Sequence, residues 1–288
     1  MPRMTYVNGR YLPHRLAKVH VEDRGYQFAD GVYEVIATQD GTIVDAAAHL
    51  DRLDRSLAAL RIAWPVARTT LMVIMREVIR RNRLTAGGGM VYVQVTRGVA
   101  PRDHAFPQPA THPSLVVSAR RAKPVDPRIS LDGVRVITIP DIRWGRCDIK
   151  SVALLPNVLG KQTAREAGAF EAWLVDGKGF VTEGTSTNAW IVDPAGQLVT
   201  RHADQAILRG ITRLTVSDLA TATGLAVVER AFTVAEARAA REAFLTSTTG
   251  GVVPVVQIDA ARIADGRPGP VAMRLREAYF RTMTGTPR

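Results

Sequence analysis

In the stretch RWGRCDIKSVALLPN, residues 143–157, a polar, arginine-rich run turns apolar at Lys150. Asp148 stands just before the junction, and Val152, Leu154 and Leu155 just after it. The chain has five lysines, Lys18, Lys123, Lys150, Lys161 and Lys178, against thirty-three arginines. A sequence that draws its positive charge so consistently from arginine keeps a lysine for what a guanidinium cannot do: lose a proton and attack a carbonyl. The competing reading is a lysine whose stem packs along a strand end while its amine stays in water.

Working outward, the N-terminal third opens with hairpin signals. TYVNGRYLP (5–13) sets Asn-Gly between two short strand-like runs, and VYEVIATQDGTIVD (32–45) does the same with Asp-Gly. Leu50, Leu53, Leu57 and Leu60 recur at spacings of three and four, which predicts a helix over 46–62; Leu71, Ile74, Met75, Val78 and Ile79 predict another over 68–84. MVYVQVTRG and SLVVSARRA read as strands around a Pro- and His-containing loop at 100–113. RAKPVDPR, 121–128, has two prolines and no apolar period, and is the expected linker between a small domain, 1–120, and a larger one, 129–288. The larger part reads as strand GVRVITIP, a helix near 156–168, strands EAWLVD, GFVTEG and NAWIVD, a helix near 210–224, strands AFLTST and VVPVVQI, and a helix near 269–284. Strands and helices mix without regular βαβ alternation, so the expected class is α+β.

Composition excludes several functions. There is no apolar run of membrane-spanning length, and MPRMTYVNGR lacks the apolar core of a secretory signal. The one cysteine, Cys147, fits a reducing, cytoplasmic setting, and no Cys/His spacing suggests a metal. A net charge of +11 raises the question of nucleic acid, yet the arginines are dispersed and aromatics make up 6% of residues without interleaving among them. Neither nucleic acid nor membrane is an expected partner.

Three polar clusters interrupt apolar strand ends: TEGTSTN (182–188), LRGITR (208–213) and TSTTGG (246–251). Each pairs hydroxyls with glycine, and Gly210-Ile211-Thr212 opens a predicted helix whose first amides can receive an anion. Each alone reads equally as a turn. A nucleophilic lysine, an anion cradle and a carboxylate such as Glu183 together suit pyridoxal 5′-phosphate, which takes an amine, phosphate donors and an acid against its pyridine nitrogen.

The segments EDRGYQFADGVYEV (22–35), HLDRL (49–53), QVTRGVAPRDHAFP (94–107), RCDIKS (146–151), VTEGTSTN (181–188), ILRGITR (207–213) and FLTSTTGGVVPVVQID (244–259) carry a resemblance that spans nearly the whole chain. In family order, they resemble the fold-type-IV pyridoxal-phosphate aminotransferases, and within these the D-amino-acid transaminases. The resemblance implies the two-domain fold-type-IV architecture, a homodimer, and transamination of D-amino acids such as D-alanine with 2-oxoglutarate. It implies Lys150 as the Schiff-base lysine and proton shuttle, and Glu183 as the partner of the pyridine nitrogen. It implies a phosphate site of Arg52, Ile211, Thr212 and Thr248, Leu208 under the ring, and Ser186 and Ser247 nearby. Tyr33, Arg102 and His104 resemble the trap for the substrate carboxylate, the last two reaching in from the neighbouring subunit, with Thr249 on the substrate side. Branched-chain L-aminotransferases, (R)-selective amine transaminases and aminodeoxychorismate lyases share the scaffold; PRDH (101–104) argues against each. A basic binding protein with a degenerate cofactor site is the alternative of a different class. Gly250 and Gly251 follow STT where a bulkier pair is common, which implies a roomier pocket rim.

Overall fold

The computed structural model describes residues 3–124 and 126–283, and they form two compact units. Residue 125, inside the expected linker, and residue 284, the end of the expected terminal helix, lie outside the described residues. Unit 1 comprises Met1–Lys123 and Ile149–Ala153; unit 2 comprises Pro124–Asp148 and Leu154–Arg288.

Unit 1 is built on hairpins. Asn8 and Gly9 take φ of 42° and 91°, the pair of left-handed residues that a two-residue turn between twisted strands requires, and join β1 (Met4–Val7) to β2 (Arg10–Pro13). Asp40 and Gly41 do the same between β3 (Gly31–Gln39) and β4 (Thr42–Ile43). With β5 (Gly88–Thr96) and β6 (Ser114–Arg121) these make an antiparallel sheet in the order β2-β1-β6-β5-β3-β4. Helix α1 (Arg24–Phe28), started by the Asp23 side chain accepting from Gly25 N–H, was too short to show a period in the sequence. Helices α2 (Ala46–Ala59) and α3 (Arg68–Arg81) carry the leucine stripes onto one face of the sheet. There Leu53, Leu57, Leu71 and Met75 pack with Val32, Ile36, Val91, Val93 and Val117.

The segment Ile149–Ala153 belongs to this unit although the chain on either side of it belongs to the other. It satisfies the edge of β3 that β4 leaves open. Tyr33 N–H donates to the Lys150 carbonyl at 3.0 Å, Val152 N–H to the Gly31 carbonyl at 3.0 Å, and Val32 and Ser151 form a β-bridge. Lys150 N–H donates to Ser56 Oγ at 3.2 Å, and Ile149 enters the core. An uninterrupted domain over 129–288 does not provide for this return, because unpaired backbone groups on a strand edge cannot be seen from the sequence.

Unit 2 begins with α4 (Arg128–Leu131), inside the end of the expected linker, and β7 (Val134–Pro140). After α5 (Leu155–Glu166) come β8 (Glu171–Val175), β9 (Val181–Gly184), β10 (Asn188–Val192) and β11 (Leu198–Thr200). Next are α6 (Ile211–Ala222), β12 (Val227–Glu229), α7 (Val234–Arg238), β13 (Glu242–Ser247), β14 (Gly251–Ile258), β15 (Ala261–Arg262) and α8 (Pro270–Met283). The sheet runs β12-β11-β10-β13-β14-β7-β8-β9, with β15 on β14. The pairs β11–β12, β14–β7 and β7–β8 are parallel and the rest antiparallel, so the α+β expectation holds. Both faces are covered. Ile191, Leu245, Val255 and Trp173 line one side, while Trp190 and Phe244, stacked at 5.5 Å, meet α6 and α8 on the other. That is why EAWLV and NAWIV read as continuous apolar runs. Strands β11 and β12, three residues each, lack the length to show alternation; α7 had a readable signal in Thr233-x-x-Glu236, which forms a capping box.

Candidate active site

In unit 1, alternation along β3 sends Val32, Glu34 and Ile36 to the core and Tyr33 to the opposite face. The Lys150 ammonium lies 4.3 Å from the centre of the Tyr33 ring, which itself stacks on Tyr92 at 5.7 Å. Three hydrogen bonds of the backbone around Lys150, one of them to Ser56 Oγ, position its Cα.

Arg52 projects from α2 into the core side and is 3% exposed. Its Nε donates to Glu34 Oε1 at 2.8 Å and its Nη2 to Glu34 Oε2 at 2.7 Å, while His49 Nδ1 lies 2.8 Å from Oε2. Burial pushes the Glu34 carboxyl up, but the Arg52 charge and the hydrogen bonds from Arg52 and His49 outweigh it and hold the group at about 2. Glu34 thus orients the arginine that the sequence singled out. Neither Glu34 nor His49 was recognised there; the signal was an acid at an inward-facing position of VYEVI.

Arg102 and His104 sit in the 100–113 loop, both exposed and both on the Phe28 ring, at 5.0 Å and 5.3 Å from its centre. The loop is tied down from beneath: Arg24, paired with Asp30, donates to the carbonyls of Asp103 and His104, and Arg97, also paired with Asp30, lies 3.6 Å from the Phe106 ring centre.

In unit 2, Glu183 stands on β9 with a carboxylate that is 7% exposed and has several donors. Arg143 Nη1 donates to Oε1, Asn188 Nδ2 to Oε2 at 2.9 Å, and Leu208 N–H reaches both oxygens at 3.2 and 3.1 Å. Arg143 is held in turn by Asp141 at 2.8 Å and by the Ala206 carbonyl. Burial raises the Asp141 carboxyl, yet Arg143 and the Thr182 hydroxyl bring it below the usual carboxylate range. Asn188 also donates to the Leu208 carbonyl, 2.9 Å away. The sequence missed Arg143 and Asn188 as ligands of Glu183, although both lie inside the stretches it quoted.

Helix α6 starts at Ile211 with Gly210 as its cap and no side-chain hydrogen bond at that end, so its first amides stay available to a ligand. A Cβ on Gly210 would come 2.1 Å from Asn188 Oδ1, so the glycine makes room for the amide that holds Glu183. Thr212 Oγ1 shares a hydrogen bond with Tyr279 OH at 3.2 Å. The β13–β14 turn carries half-buried Ser247 and Thr248 and exposed Thr249; Ser247 Oγ accepts from Gly250 N–H at 3.1 Å. Ser186, exposed in the turn after β9, donates to Glu171, a fully buried acid that also accepts from Thr185 and has Lys161 at 3.5 Å.

Within unit 1 the structure brings together Lys150 and Tyr33, and Arg102 and His104. Within unit 2 it brings together Glu183 and Leu208. Unit 1 offers an amine on the Tyr33 ring, and unit 2 a carboxylate with fixed donors, a helix start without a side-chain cap and a glycine-containing turn; each is a kind of group that pyridoxal 5′-phosphate takes.

A family model described as amino-transferase class IV matches residues 31–258. The chain is 40% identical to a D-alanine aminotransferase of Listeria innocua over 275 residues, 95% of this chain and 93% of that one. It is 41% identical to one of Bacillus licheniformis over 271 residues, 94% of each. A solved T.th. branched-chain amino acid aminotransferase with pyridoxamine 5′-phosphate superposes with a TM-score of 0.90 at 28% identity, covering 100% of this chain and 96% of that one.

Proposed function

The chain belongs to the amino-transferase class IV family, and on that premise we propose that it moves an amino group between D-amino acids and 2-oxo acids, D-alanine and 2-oxoglutarate among them. The observation that carries this reading is the agreement over 95% of the chain with a D-alanine aminotransferase. Arg102 and His104, both against the Phe28 ring, support it as two hydrogen-bond donors for a carboxylate.

Pyridoxal 5′-phosphate, when bound, supplies an aldehyde for the amine and a ring that takes up the electron pair left at the substrate Cα. Lys150 would hold it covalently, and its Nζ, once free, would carry the proton from the substrate Cα and return it. Glu183 would accept a hydrogen bond from the ring nitrogen and so favour the ring as an electron sink. Arg143, Asn188 and Leu208 N–H hold the Glu183 carboxylate in place with donated hydrogen bonds. Arg52, the amides at Ile211 and Thr212, and Thr248 would receive the phosphate, with Ser186 nearby, Ser247 shaping the turn and Leu208 on the ring side. Tyr33 and Thr249 complete the substrate side. Arg102 and His104 act in a homodimer, on the substrate of the neighbouring subunit.

The test is direct. Purified protein with cofactor should be yellow and lose that colour on borohydride reduction, and it should form pyruvate from D-alanine and 2-oxoglutarate. Colour that borohydride leaves unchanged would point to a binding protein without a covalent lysine. The branched-chain alternative rests on the likeness to the solved branched-chain enzyme; faster turnover of L-leucine than of D-alanine would replace the present reading with it.

A further inference from the structure

Five arginines count among the buried residues of the described chain: Arg24, Arg52, Arg97, Arg213 and Arg276. Four of them have a carboxylate against the guanidinium, Arg24 with Asp30 at 2.8 Å, Arg52 with Glu34 at 2.7 Å, Arg97 with Asp30 at 2.7 Å and Arg213 with Glu229 at 2.9 Å. Among the described residues, Arg276 has only neutral acceptors. Its Nε donates to Ser130 Oγ at 3.0 Å, its Nη1 to the Gly250 carbonyl at 3.2 Å and to the Val252 carbonyl, and the Phe280 ring covers it at 4.8 Å. Burying a charge without an opposite one is costly, and an anion bound nearby would offset part of that cost.

The carbonyls that Arg276 holds lie at the end of the turn carrying Ser247 and Thr248 and at the start of β14. Tyr279, one helical turn further along α8, meets the other arm of the same cradle through Thr212 Oγ1 at 3.2 Å. A Cβ on Gly251 would already be 3.0 Å from the Tyr279 ring, so the turn lies directly on α8. One face of α8 therefore touches both arms.

We propose that Arg276 is the buried counter-charge of the phosphate cradle: a positioning residue that fixes the Gly250–Val252 backbone and whose charge is balanced by the cofactor's phosphate. This rests on the reading that Thr212 and the 247–251 turn receive that phosphate. The charge acts through a poorly polarisable interior, where it is screened far less than in water. It acts on the phosphate and not on the pyridine ring, which separates it from a general effect on folding.

The full-length chain, freed of cofactor, is titrated with pyridoxal 5′-phosphate and with pyridoxal, which lacks the phosphate. Dissociation constants are read from tryptophan fluorescence for wild type, Arg276→Lys, Arg276→Gln and Arg276→Met. Arg276→Gln and Arg276→Met should lower the preference for the phosphorylated form by about tenfold or more, while Arg276→Lys, which keeps the charge, retains most of it. Inorganic phosphate should raise the melting temperature of the cofactor-free wild type and of Arg276→Lys more than that of either neutral variant. Equal loss for both ligands, or equal damage by Lys and Gln, would show a purely structural arginine and overturn the proposal. A wild type that binds both forms but does not prefer the phosphorylated one would remove the phosphate cradle itself, and the proposal with it. Failure to bind either form would instead sink the cofactor reading.

Discussion

Glu34 is a carboxylate on the core side of a strand, and Arg52 and His49 are what make that position tenable. Because the carboxyl titrates at about 2 in the folded chain against an ordinary 4.5, its ionised form stabilises the fold fully above about 4.5. That stabilisation drains away as the pH falls towards about 2. Glu34→Gln should flatten this part of the stability profile and cost about 3–5 kcal/mol at neutral pH, since it strips the carboxylate from a buried guanidinium. Urea unfolding at pH 7 and pH 3 measures both; an unchanged difference between the two pH values would show that Glu34 does not titrate as described. Lys150→Ala tests the other residue-scale assignment. On the proposed reading it removes both the covalent hold and the proton carrier, and a positioned acid–base group alone contributes roughly 10²–10⁴-fold to rate. Steady turnover of D-alanine near the wild-type rate would refute the role.

At the scale of elements, the start of α6 and the strand β10 are interlocked at one contact. Gly210 has φ of −63°, which alanine adopts freely, so backbone conformation does not demand glycine there; Asn188 Oδ1, 2.1 Å from where a Cβ would stand, does. Gly210→Ala should push Asn188 off Glu183 and off the Leu208 carbonyl, weakening cofactor binding by about tenfold or more. The double variant with Asn188→Ala should be no worse than Asn188→Ala alone, because the clash has lost its second partner. Full additivity in measured cofactor affinity would sever this link. The segment Ile149–Ala153 shows the same dependence on an element: it places Lys150 only because β3 has an open edge at Gly31–Tyr33 for it to pair with.

For the whole molecule, the proposed homodimer makes a prediction that no single variant can. If Arg102 and His104 serve the neighbouring subunit, mixing Arg102→Ala chains with Lys150→Ala chains should restore activity on D-alanine through heterodimers with one intact site. Arg102→Ala alone should lower the specificity constant for D-alanine by about tenfold or more, since a charge-assisted bond contributes about 1.5–3 kcal/mol. An (R)-amine without a carboxylate should lose much less. Equal losses for the two substrates would remove the carboxylate trap, and an absence of recovery on mixing would remove the shared site.

The amphipathic helices α2 and α3, the two glycine-containing hairpins and the long buried strands were legible in the sequence, because periods of 3.6 and 2 and left-handed turn residues are local properties. Lys150 and Glu183 stood out in the sequence as candidates, one as a rare residue type at a polar–apolar junction and the other as an acid in a glycine- and hydroxyl-rich turn. The partners of these residues did not. Arg143 and Asn188 lie 40 and 5 positions from Glu183, and nothing in their local pattern says that they bond to it. Glu34 meets Arg52 across 18 residues, and Arg276 meets Gly250 across 26. The return of Ile149–Ala153 to the other unit depended on a vacant strand edge more than a hundred residues earlier in the chain. Such pairings are set by which backbone and side-chain groups remain unsatisfied once the sheets have formed, and that is decided only when distant parts of the chain have packed.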